Sequence, residues 1–468
     1  MISLSHLKNC STVKSIPEGL NLSSKLFFCT DSRKYHHPAF FVAIPGAKVN
    51  PLDVINKLLT QACPLIVYQD NAENREKVKQ LQAEFPKTSF VPVLDSVTFL
   101  QELSHLHILE WKKISPKNMV FAISGSNGKT THKEMLGHIL NAINPRKIVA
   151  TEKNNNNHLG VPLTLLQVND QTEMVVLELG SNHPGEIKVL CDIAFPDAGL
   201  TTNIGATHLE FFGSEEKVFE EEGYLYHAVK EHTHSEGFFL INKDDPFLTR
   251  FPNFKGAVTY GSSGEVDARI SFLENGASIH FQGHSLVATN AHITGRHNKL
   301  NLITCVFIAH HFYPECCEQI IAAAAEFRPT KNRSEWIEFE NRPVFLDAYN
   351  ANPSSMKAAL EGFKESVVEQ GMTLDEACVV LGDMNELGDS SPQYHQELGN
   401  FIKTLGFNHV YFVGRFRTDY LKGFAAGAGR PSAADFKSEF RNEVLKKYRI
   451  HFIKGSRSLQ LESLFDIT

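Results

Sequence analysis

The sequence predicts an α/β protein of three domains, and three observations point to this fold class. The chain has 468 residues, whereas one domain typically has about 100 to 200. Short apolar runs alternate with stretches of helical character, which is typical of sheets covered by helices. This rhythm is interrupted near two points of the chain. We therefore expect domains at residues 1–115, 116–327 and 328–468.

The N-terminal domain should be a small α/β unit. A helix is expected near residues 52–62, and a lysine-rich joint, WKKISPKN, follows at 111–118. The predicted strands are the apolar runs LFFCT, FFVAI and PLIVYQ.

The central and C-terminal domains should each hold a mainly parallel sheet. Segment 256–294 alternates apolar with small polar residues, which predicts antiparallel strands added to the central sheet. An amphipathic helix is expected at 353–369. The predicted strands are MVFAIS, MVVLELG, AGLTTNIG and GFFLIN in the central domain, and PVFLDAY, ACVVLGD, HVYFVG and RIHFIKG in the C-terminal domain.

Composition argues against several classes of protein. No apolar run reaches the roughly 18 to 20 residues that cross a bilayer, so no membrane span is expected. The first residues, MISLSHLKNCSTVKS, lack the pattern of an export signal, which predicts a cytoplasmic protein. Eight cysteines are scattered without metal-ligand spacing, as is typical of reduced thiols. A net charge of -7 argues against nucleic-acid binding.

The strongest functional signal is a glycine-rich loop between a strand and a helix. The segment GSNGKTT begins at Gly125, directly after the strand MVFAIS, which is the context of a phosphate-binding loop. Gly125 and Gly128 permit a tight turn, Lys129 offsets phosphate charge, and Thr130 can reach a magnesium ion. The first glycine of the full Walker pattern would fall at Ile123, so an ordinary glycine-rich turn is the alternative. The central domain is therefore expected to be P-loop ATPase-like. The C-terminal domain, which repeats the strand and helix rhythm, is expected to be Rossmann-like.

A run of four asparagines, Asn154 to Asn157, precedes an apolar helix expected near Pro162. Asparagine both donates and accepts hydrogen bonds, which suits a sugar, peptide or phosphate ligand. An exposed turn with asparagine in left-handed geometry is the alternative.

Glu178 and His208 follow two further strands of the central domain. Because ligands bind at the carboxyl ends of parallel strands, the pair predicts a second metal site on the edge that carries the phosphate loop. A solvated glutamate and a structural histidine are the alternatives.

Eight segments form a recognisable series, and the resemblance that they carry spans roughly residues 25 to 460. In order, they are GSNGKTT, NNNNHLGVPLTLL, ELGSNHPGEI, NIGATHLEFFGS, GRHNKLN, DAYNANPSSM, LGDMNELG and KGSRS. Together they resemble the Mur ligase family. Within that family, ELGSNHPGEI and DAYNANPSSM look like the members that add D-alanyl-D-alanine to a UDP-N-acetylmuramoyl-tripeptide in peptidoglycan precursor synthesis.

The resemblance implies a monomeric ligase of small-molecule substrates that uses ATP and Mg²⁺. ATP would phosphorylate the terminal carboxylate of the peptide, and the amine of the dipeptide would then attack the acyl phosphate. It implies that Lys129, Glu178 and His208 are catalytic, and that Thr130, Glu178 and His208 bind the metal. It implies ATP contacts from Gly125, Ser126, Asn127, Gly128, Lys129, Thr130, Thr131, Asn298, Arg333, Asp347 and Tyr349. It implies substrate contacts from Asp31, Ser32, Arg33, Asn156, Asn157, Ser181, Asn182, His183, Asn350, Ser456 and Arg457.

Several of these residues also have ordinary structural interpretations. Asn298 could cap a helix, and Arg333 and Asp347 could form an ion pair. Ser456 and Arg457 could be solvated, and LGDMNELG could be a structural turn.

The N-terminal segment departs from the family pattern. TDSRK at 30–34 resembles the uridine-binding signature of the family. The Asp-Gly-His that usually follows is replaced here by Asn50, Pro51, Leu52 and Asp53.

A second departure follows His208. Many Mur ligases carry a lysine before a glycine here, and its carbamate supplies a carboxylate to the magnesium site. This chain has Glu222 before Gly223, and Lys217 would lie about 140° away around a helix. We hypothesise that Glu222 is a catalytic, metal-binding carboxylate in place of the carbamate. A solvated acidic face of residues 220–222 is the alternative.

Two other functions stay open. The first is a sibling ligase that adds the third amino acid or polyglutamylates folate, against which ELGSNHPGEI and DAYNANPSSM argue. The second is a catalytically silent relative that binds muramoyl nucleotides, against which Lys129, Thr130, Glu178 and His208 argue. Lysine and diaminopimelate are both open as the third residue of the tripeptide.

Overall fold

The structure is a computed structural model that describes residues 1–46 and 49–465. This part of the chain contains three sheets, of five, nine and six strands, which follow one another along the sequence. Most neighbouring strands are parallel, and helices connect them. The expected α/β class is therefore confirmed.

The first sheet belongs to the N-terminal part of the chain. Its strands are β1 (Ile2–Ser3), β2 (Lys25–Cys29), β3 (Ala39–Ala43), β4 (Leu65–Gln69) and β5 (Ser89–Val93), and its helices are α1 (Asn56–Thr60), α2 (Ala72–Glu84) and α3 (Ser96–Lys112). The strands are ordered β1-β2-β3-β4-β5, and β1 pairs antiparallel with β2 while the other pairs are parallel. The three predicted strands correspond to β2, β3 and β4. Helices α2 and α3 and strand β5 were not among the predicted elements.

Helix α3 links the first sheet to the central one. Asp95 caps its first turn. Its buried face contributes Phe99 to the core of the first sheet, and Ile108 and Trp111 to the core of the central region. The indole N–H of Trp111 donates to the carbonyl oxygen of Thr172 at 3.0 Å. The predicted lysine-rich joint therefore begins inside a helix that packs on both regions.

The second sheet carries the glycine-rich loop. Its strands are β6 (Met119–Ser124), β7 (Ile148–Ala150), β8 (Met174–Glu178), β9 (Ala198–Thr201), β10 (Phe238–Asn242), β11 (Ala257–Gly261), β12 (Ala268–Leu273), β13 (Gly276–Phe281) and β14 (His284–Thr289). Its helices are α4 (Lys129–Ile143), α5 (Gly160–Leu165), α6 (Glu186–Ala194), α7 (Leu209–Phe212), α8 (Glu215–Glu222), α9 (Tyr224–His232), α10 (Arg296–Phe312) and α11 (Cys317–Glu326).

The strand order creates a crevice beside the loop. The order is β14-β13-β12-β11-β10-β9-β6-β8-β7. The chain leaves β6 towards one edge of the sheet and leaves β8 towards the other, and ligands bind at such switch points. The prediction of antiparallel strands over 256–294 is correct for β12, β13 and β14 but wrong for β11, which is parallel to both β10 and β12.

The third sheet has the order β15-β16-β20-β17-β18-β19. These strands are β15 (Glu335–Phe339), β16 (Arg342–Asp347), β17 (Ala377–Gly382), β18 (Val410–Val413), β19 (Ala428–Arg430) and β20 (Ile450–Lys454), and the helices are α12 (Pro353–Glu369), α13 (Ser391–Leu405), α14 (Arg417–Phe424), α15 (Ala433–Glu439) and α16 (Leu445–Lys447). Only the β15–β16 pair is antiparallel in the described sheet. Helix α12 matches the predicted helix, and Asn352 and Ser355 cap it reciprocally.

The carboxyl ends of the second and third sheets open onto the same cleft. Glu178 ends β8, Asp347 ends β16 and Lys454 ends β20, and all three line one cavity.

Within residues 1–46 and 49–465, no helix combines the length and apolar character needed to cross a membrane. All eight cysteines are free thiols.

Replacing Trp111 tests whether α3 holds the first two regions together. Trp111→Ala should lower the free energy of unfolding by about 3 to 5 kcal/mol, because it leaves a large cavity and removes a buried hydrogen bond. Urea denaturation followed by circular dichroism measures the loss. Ile114→Ala is the matched control, since Ile114 is 55% exposed just beyond the helix. A Trp111 variant as stable as this control would contradict the role given to α3.

Candidate active site

The loop between β6 and α4 has the backbone of a phosphate-binding loop. Gly125 has φ +118°, and a Cβ added there would lie 2.2 Å from Oγ1 of Thr202, so only glycine fits. Gly128, with φ +81°, immediately precedes α4. The Thr202 hydroxyl donates to the Asn127 carbonyl at 2.6 Å, and Oδ1 of Asn203 accepts the Asn127 N–H at 3.2 Å. The segment after β9 thus braces the loop while the first turn of α4 faces the cleft.

Lys129 is held against the loop by a buried carboxylate. Its ammonium donates to the Gly125 carbonyl and lies 3.7 Å from Oε1 of Glu222. Glu222 is 1% exposed. Its Oε2 accepts the Gly125 N–H at 2.7 Å, and the Ser181 hydroxyl donates to Oε1 at 3.4 Å. These partners offset the cost of burying the charge, and they direct the carboxylate towards the phosphate loop.

The acidic end of α8 is not a solvated face. Only Glu220 is exposed among the three glutamates, whereas Glu221 and Glu222 are buried. Glu221 accepts the N–H groups of Gly185 and Ile187 at 2.6 and 2.7 Å, and burial raises the pKa of its carboxyl. Two consecutive side chains therefore support two different loops of the site. The interpretation as a solvated face is wrong for both of them.

The two carboxylate oxygens of Glu178 have different environments in the cleft. Its Oε1 accepts two hydrogen bonds of 2.9 Å, from the hydroxyl of Thr130 and from the amide of Asn156. Its Oε2 is buried and has no hydrogen-bond partner among the described residues. We call Oε2 the open oxygen of Glu178. The interpretation of Glu178 as a solvated strand end is wrong, since the residue is 3% exposed.

The asparagine run has two separate tasks. Asn156 holds Glu178, as described above, and its carbonyl accepts the Gly180 N–H at 2.8 Å. Oδ1 of Asn157 accepts the N–H groups of Leu159 and Gly160 at the start of α5. Both asparagines line the cleft.

The C-terminal wall of the cleft contains two cations. Lys454 is 2% exposed, and its ammonium donates to Oδ2 of Asp347 at 2.6 Å and to the Asn350 carbonyl at 3.0 Å. The guanidinium of Arg333 stacks 3.8 Å from the ring centroid of Tyr349. The proposed ion pair between Arg333 and Asp347 is therefore wrong, because Lys454 neutralises Asp347.

The segment GRHNKLN begins α10 at the edge of the cleft. Gly295 precedes the helix and Asn298 lies inside its first turn, so Asn298 is not the cap that sequence analysis considered. The Asn298 amide donates to the Thr294 carbonyl at 3.0 Å. Burial lowers the pKa of His297 to about 4, which keeps its ring neutral at pH 7.

Contacts on both sides of the cleft join the central and C-terminal regions. The Asn127 amide donates to the Ser354 hydroxyl at 2.8 Å, and the Asn352 amide donates to Oδ1 of Asn127 at 2.7 Å. On the other side, Nδ1 of His208 lies 2.5 Å from Oε2 of Glu386. A phosphate-loop residue and a candidate metal ligand are thus both in contact with the C-terminal region.

The cleft has a volume of about 970 Å³ and unites most of the predicted residues. Those that line it are Ser126, Asn127, Gly128, Lys129, Thr130, Thr131, Asn156, Asn157, Glu178, Ser181, Asn182, His183, His208, Asn298, Arg333, Asp347, Tyr349 and Asn350. Gly125 and Glu222 lie behind it, in the contacts with Lys129 given above.

Five predicted substrate residues lie away from the cleft. Asp31, Ser32 and Arg33 form a turn after β2, in which Arg33 pairs with Asp31 and lowers the pKa of its carboxyl to about 2. The Ser456 hydroxyl accepts the Asn385 N–H at 3.0 Å, and Arg457 donates to Glu462. The solvated interpretation is therefore wrong for Ser456, which is buried.

Lys454 and Ser354 also line the cleft, and Glu386 contacts the cleft residue His208, but none of the three was predicted as a site residue. Lys454 and Glu386 belong to the quoted segments KGSRS and LGDMNELG, and Ser354 to DAYNANPSSM. The position of the lysine at the end of a buried strand was the available signal, because strand ends form the ligand edge.

The cleft supplies some, but not all, of the oxygen ligands that a hard divalent cation needs. Among the described residues, no three His, Cys, Asp or Glu side chains converge on one metal position. Glu222 is therefore not brought together with Glu178 and His208, because its oxygens are engaged by the phosphate loop. The Thr130 hydroxyl and the open oxygen of Glu178, beside the amides of the glycine-rich loop, do fit Mg²⁺, which keeps few protein ligands and several phosphate and water oxygens.

Comparison with known proteins agrees with this geometry. The family description Mur ligase middle domain matches residues 123–309, and the description Mur ligase, glutamate ligase domain, matches residues 332–447. The UDP-N-acetylmuramoyl-tripeptide--D-alanyl-D-alanine ligase of Bacillus subtilis is 27% identical over 443 residues, which cover 93% of this chain and 91% of that protein.

Solved structures share the whole architecture. The crystal structure of MurF from Acinetobacter baumannii has a TM-score of 0.80 and 25% identity, and the match covers 99% of this chain and 97% of that one. MurF ligase from Thermotoga maritima, crystallised with ADP, has a TM-score of 0.76 and 23% identity, over 94% and 96% of the two chains, and supports the fold alone. This chain belongs to the Mur ligase family.

Proposed function

We propose that this protein is the ATP-dependent ligase that joins D-alanyl-D-alanine to UDP-N-acetylmuramoyl-tripeptide. The observation that carries the proposal is the open oxygen of Glu178, held beside a phosphate loop in a cleft between two sheets. The names of the curated relatives support the choice of substrates. The protein would act as a cytoplasmic monomer in peptidoglycan precursor synthesis.

Three domains would share this work. Residues 1–115 bind the UDP part of the acceptor, with Asp31, Ser32 and Arg33 at the turn after β2. Residues 116–327 bind ATP and the metal. Residues 328–468 bind ATP and the dipeptide, and Ser456 and Arg457 stay candidates for its carboxylate.

The reaction must bring two anions together. At about 4 Å, two like unit charges repel by roughly 4 kcal/mol at an effective dielectric near 20. Lys129 lines the cleft on one side, and Arg333 adds positive charge from the opposite wall, where Lys454 is paired with Asp347. The peptide carboxylate takes the γ-phosphoryl group of ATP. The dipeptide amine then attacks the carbonyl carbon, and phosphate leaves as the amine loses a proton.

Magnesium would be held by Thr130 and by the open oxygen of Glu178, with His208 at a second position. Bound there, the metal supplies positive charge to the phosphates and the acceptor carboxylate. The remaining residues orient this set: Asn156 fixes Glu178, and the turn around Thr202 and Asn203 fixes the loop.

Mass spectrometry of the product tests the function. The purified chain should convert UDP-muramoyl tripeptide, D-alanyl-D-alanine, ATP and Mg²⁺ into a product heavier by the dipeptide less water, with one ADP released per product. Parallel reactions with lysine and diaminopimelate acceptors identify the third residue. Formation of folate polyglutamate instead, or ATP binding without any product, would overturn the proposal.

Lys129→Ala should lower kcat by more than a hundredfold, because the loop amides persist while the charge facing the phosphates is lost. Glu222 keeps the Gly125 N–H and the Ser181 hydroxyl, so the fold should survive. Steady-state kinetics and thermal melting check both statements, and Lys217→Ala is the surface control. A near-normal rate at unchanged melting temperature would refute the phosphate-loop assignment.

Glu222 would supply a permanent carboxylate where many relatives use a carbamylated lysine. Its contacts support a role in orienting Lys129, so Glu222→Gln should lower kcat by about tenfold, the loss expected for one charge-assisted contact. Activity should not respond to removal and return of bicarbonate.

Glu220→Gln is the control, since Glu220 points away from the loop on the same helix. The Mg²⁺ concentration for half-maximal rate separates the two roles of Glu222. An unchanged Mg²⁺ concentration for half-maximal rate supports the action of Glu222 through Lys129. A clear increase in that concentration would instead support the hypothesis that Glu222 binds the metal. Rescue of the wild type by bicarbonate would contradict both.

A further inference from the structure

The segment LGDMNELG forms a rigid turn that reaches across the cleft. Asp383 accepts the N–H groups of Arg415 and Phe416 at 2.7 and 3.0 Å. The Met384 N–H donates to Nε2 of His395 at 2.9 Å. Together with the Ser456 contact to Asn385, these bonds fix three consecutive residues to the body of the C-terminal region. The next residue, Glu386, is the one that projects.

Glu386 meets the central region through both backbone and side chain. Its carbonyl accepts the Glu210 N–H at 3.0 Å, and its Oε2 lies 2.5 Å from Nδ1 of His208. A Cβ on Gly388, which has φ +56°, would lie 3.2 Å from Cα of Glu210. A glycine therefore permits the close approach of the two backbones. The contact is built by the sequence of the turn and does not depend on one flexible side chain.

The central region contacts the His208 ring through the edge of Phe212, a contact that does not engage Nδ1 as a carboxylate can. His208 immediately precedes α7, a helix of only four residues, and has a left-handed backbone with φ +50°. Because the Glu386 carboxylate lies so close to Nδ1, hydrogen on Nδ1 is the favoured arrangement, which leaves Nε2 as the acceptor or metal-binding nitrogen. His208 lines the cleft from this position.

We propose that Glu386 is a positioning residue that completes the active site across the domain interface by orienting His208. This inference rests on the proposed function, in which His208 binds the metal. It assigns a purpose to LGDMNELG, which begins at the end of β17 and does not itself supply a side chain to the cleft lining given above. It also makes the geometry of His208 dependent on the approach of the C-terminal region.

A double-mutant cycle tests the proposal in the full-length enzyme. Glu386→Gln should lower kcat by roughly ten- to a hundredfold, the usual effect of losing such a supporting carboxylate. The variant His208→Gln with Glu386→Gln should be no slower than His208→Gln alone, since Glu386 acts through His208. Asp389→Asn is the matched control on the same exposed turn and should retain wild-type kinetics. Multiplicative losses in the double variant would overturn the proposal.

A spectroscopic readout separates this inference from the proposed function. Two-bond ¹H–¹⁵N correlation of histidine-labelled enzyme, with His208 assigned by comparison with His208→Gln, reports which ring nitrogen carries hydrogen. The Nδ1–H tautomer should be present in wild type and lost or mixed in Glu386→Gln. An identical tautomer in both proteins would overturn the role of Glu386, even if ligase activity is found. Failure of ligase activity alone would leave the tautomer result standing.

Discussion

An open carboxylate oxygen in a buried site is the constraint around which the cleft is organised. Thr130 and Asn156 satisfy one oxygen of Glu178 and thereby turn the other towards the space beside the phosphate loop. Burying a charged oxygen without a partner is costly, and a bound cation or donor would remove that cost. The strand end, the asparagine run and the first turn of α4 all serve this one geometry.

Residues behind the cleft also hold several parts of the site in place. Adjacent residues of α8 hold the phosphate loop and the start of α6, so one short helix sets the distance between two ligand-binding segments. Asn127 and Glu386 then connect the central region to the C-terminal region at two separate points. The nucleotide contacts proposed for Asp347, Tyr349 and Arg333 would therefore depend on this joined arrangement, which would link the chemistry to the approach of the two regions.

Much of the architecture was predictable because strand and loop signals are local. The buried strands, the loop at Gly125 and helix α12 follow from apolar patterns and glycine positions. The long-range pairings were not predictable in this way. That Lys454 pairs with Asp347, or that Glu386 reaches His208, depends on how two sheets face each other. Glu222 shows the same limit: sequence indicated a carboxylate near the site, whereas packing decided that it faces Lys129.

The most direct test of this account is the position of the metal. Crystals grown with Mn²⁺ and ADP should give an anomalous peak in direct contact with the open oxygen of Glu178, at roughly 2.1 Å, the distance usual for such octahedral ions. The Thr130 hydroxyl and a phosphate oxygen should be its neighbours. A nucleotide-bound structure in which the metal lies beyond coordinating distance of Glu178 would contradict the central claim.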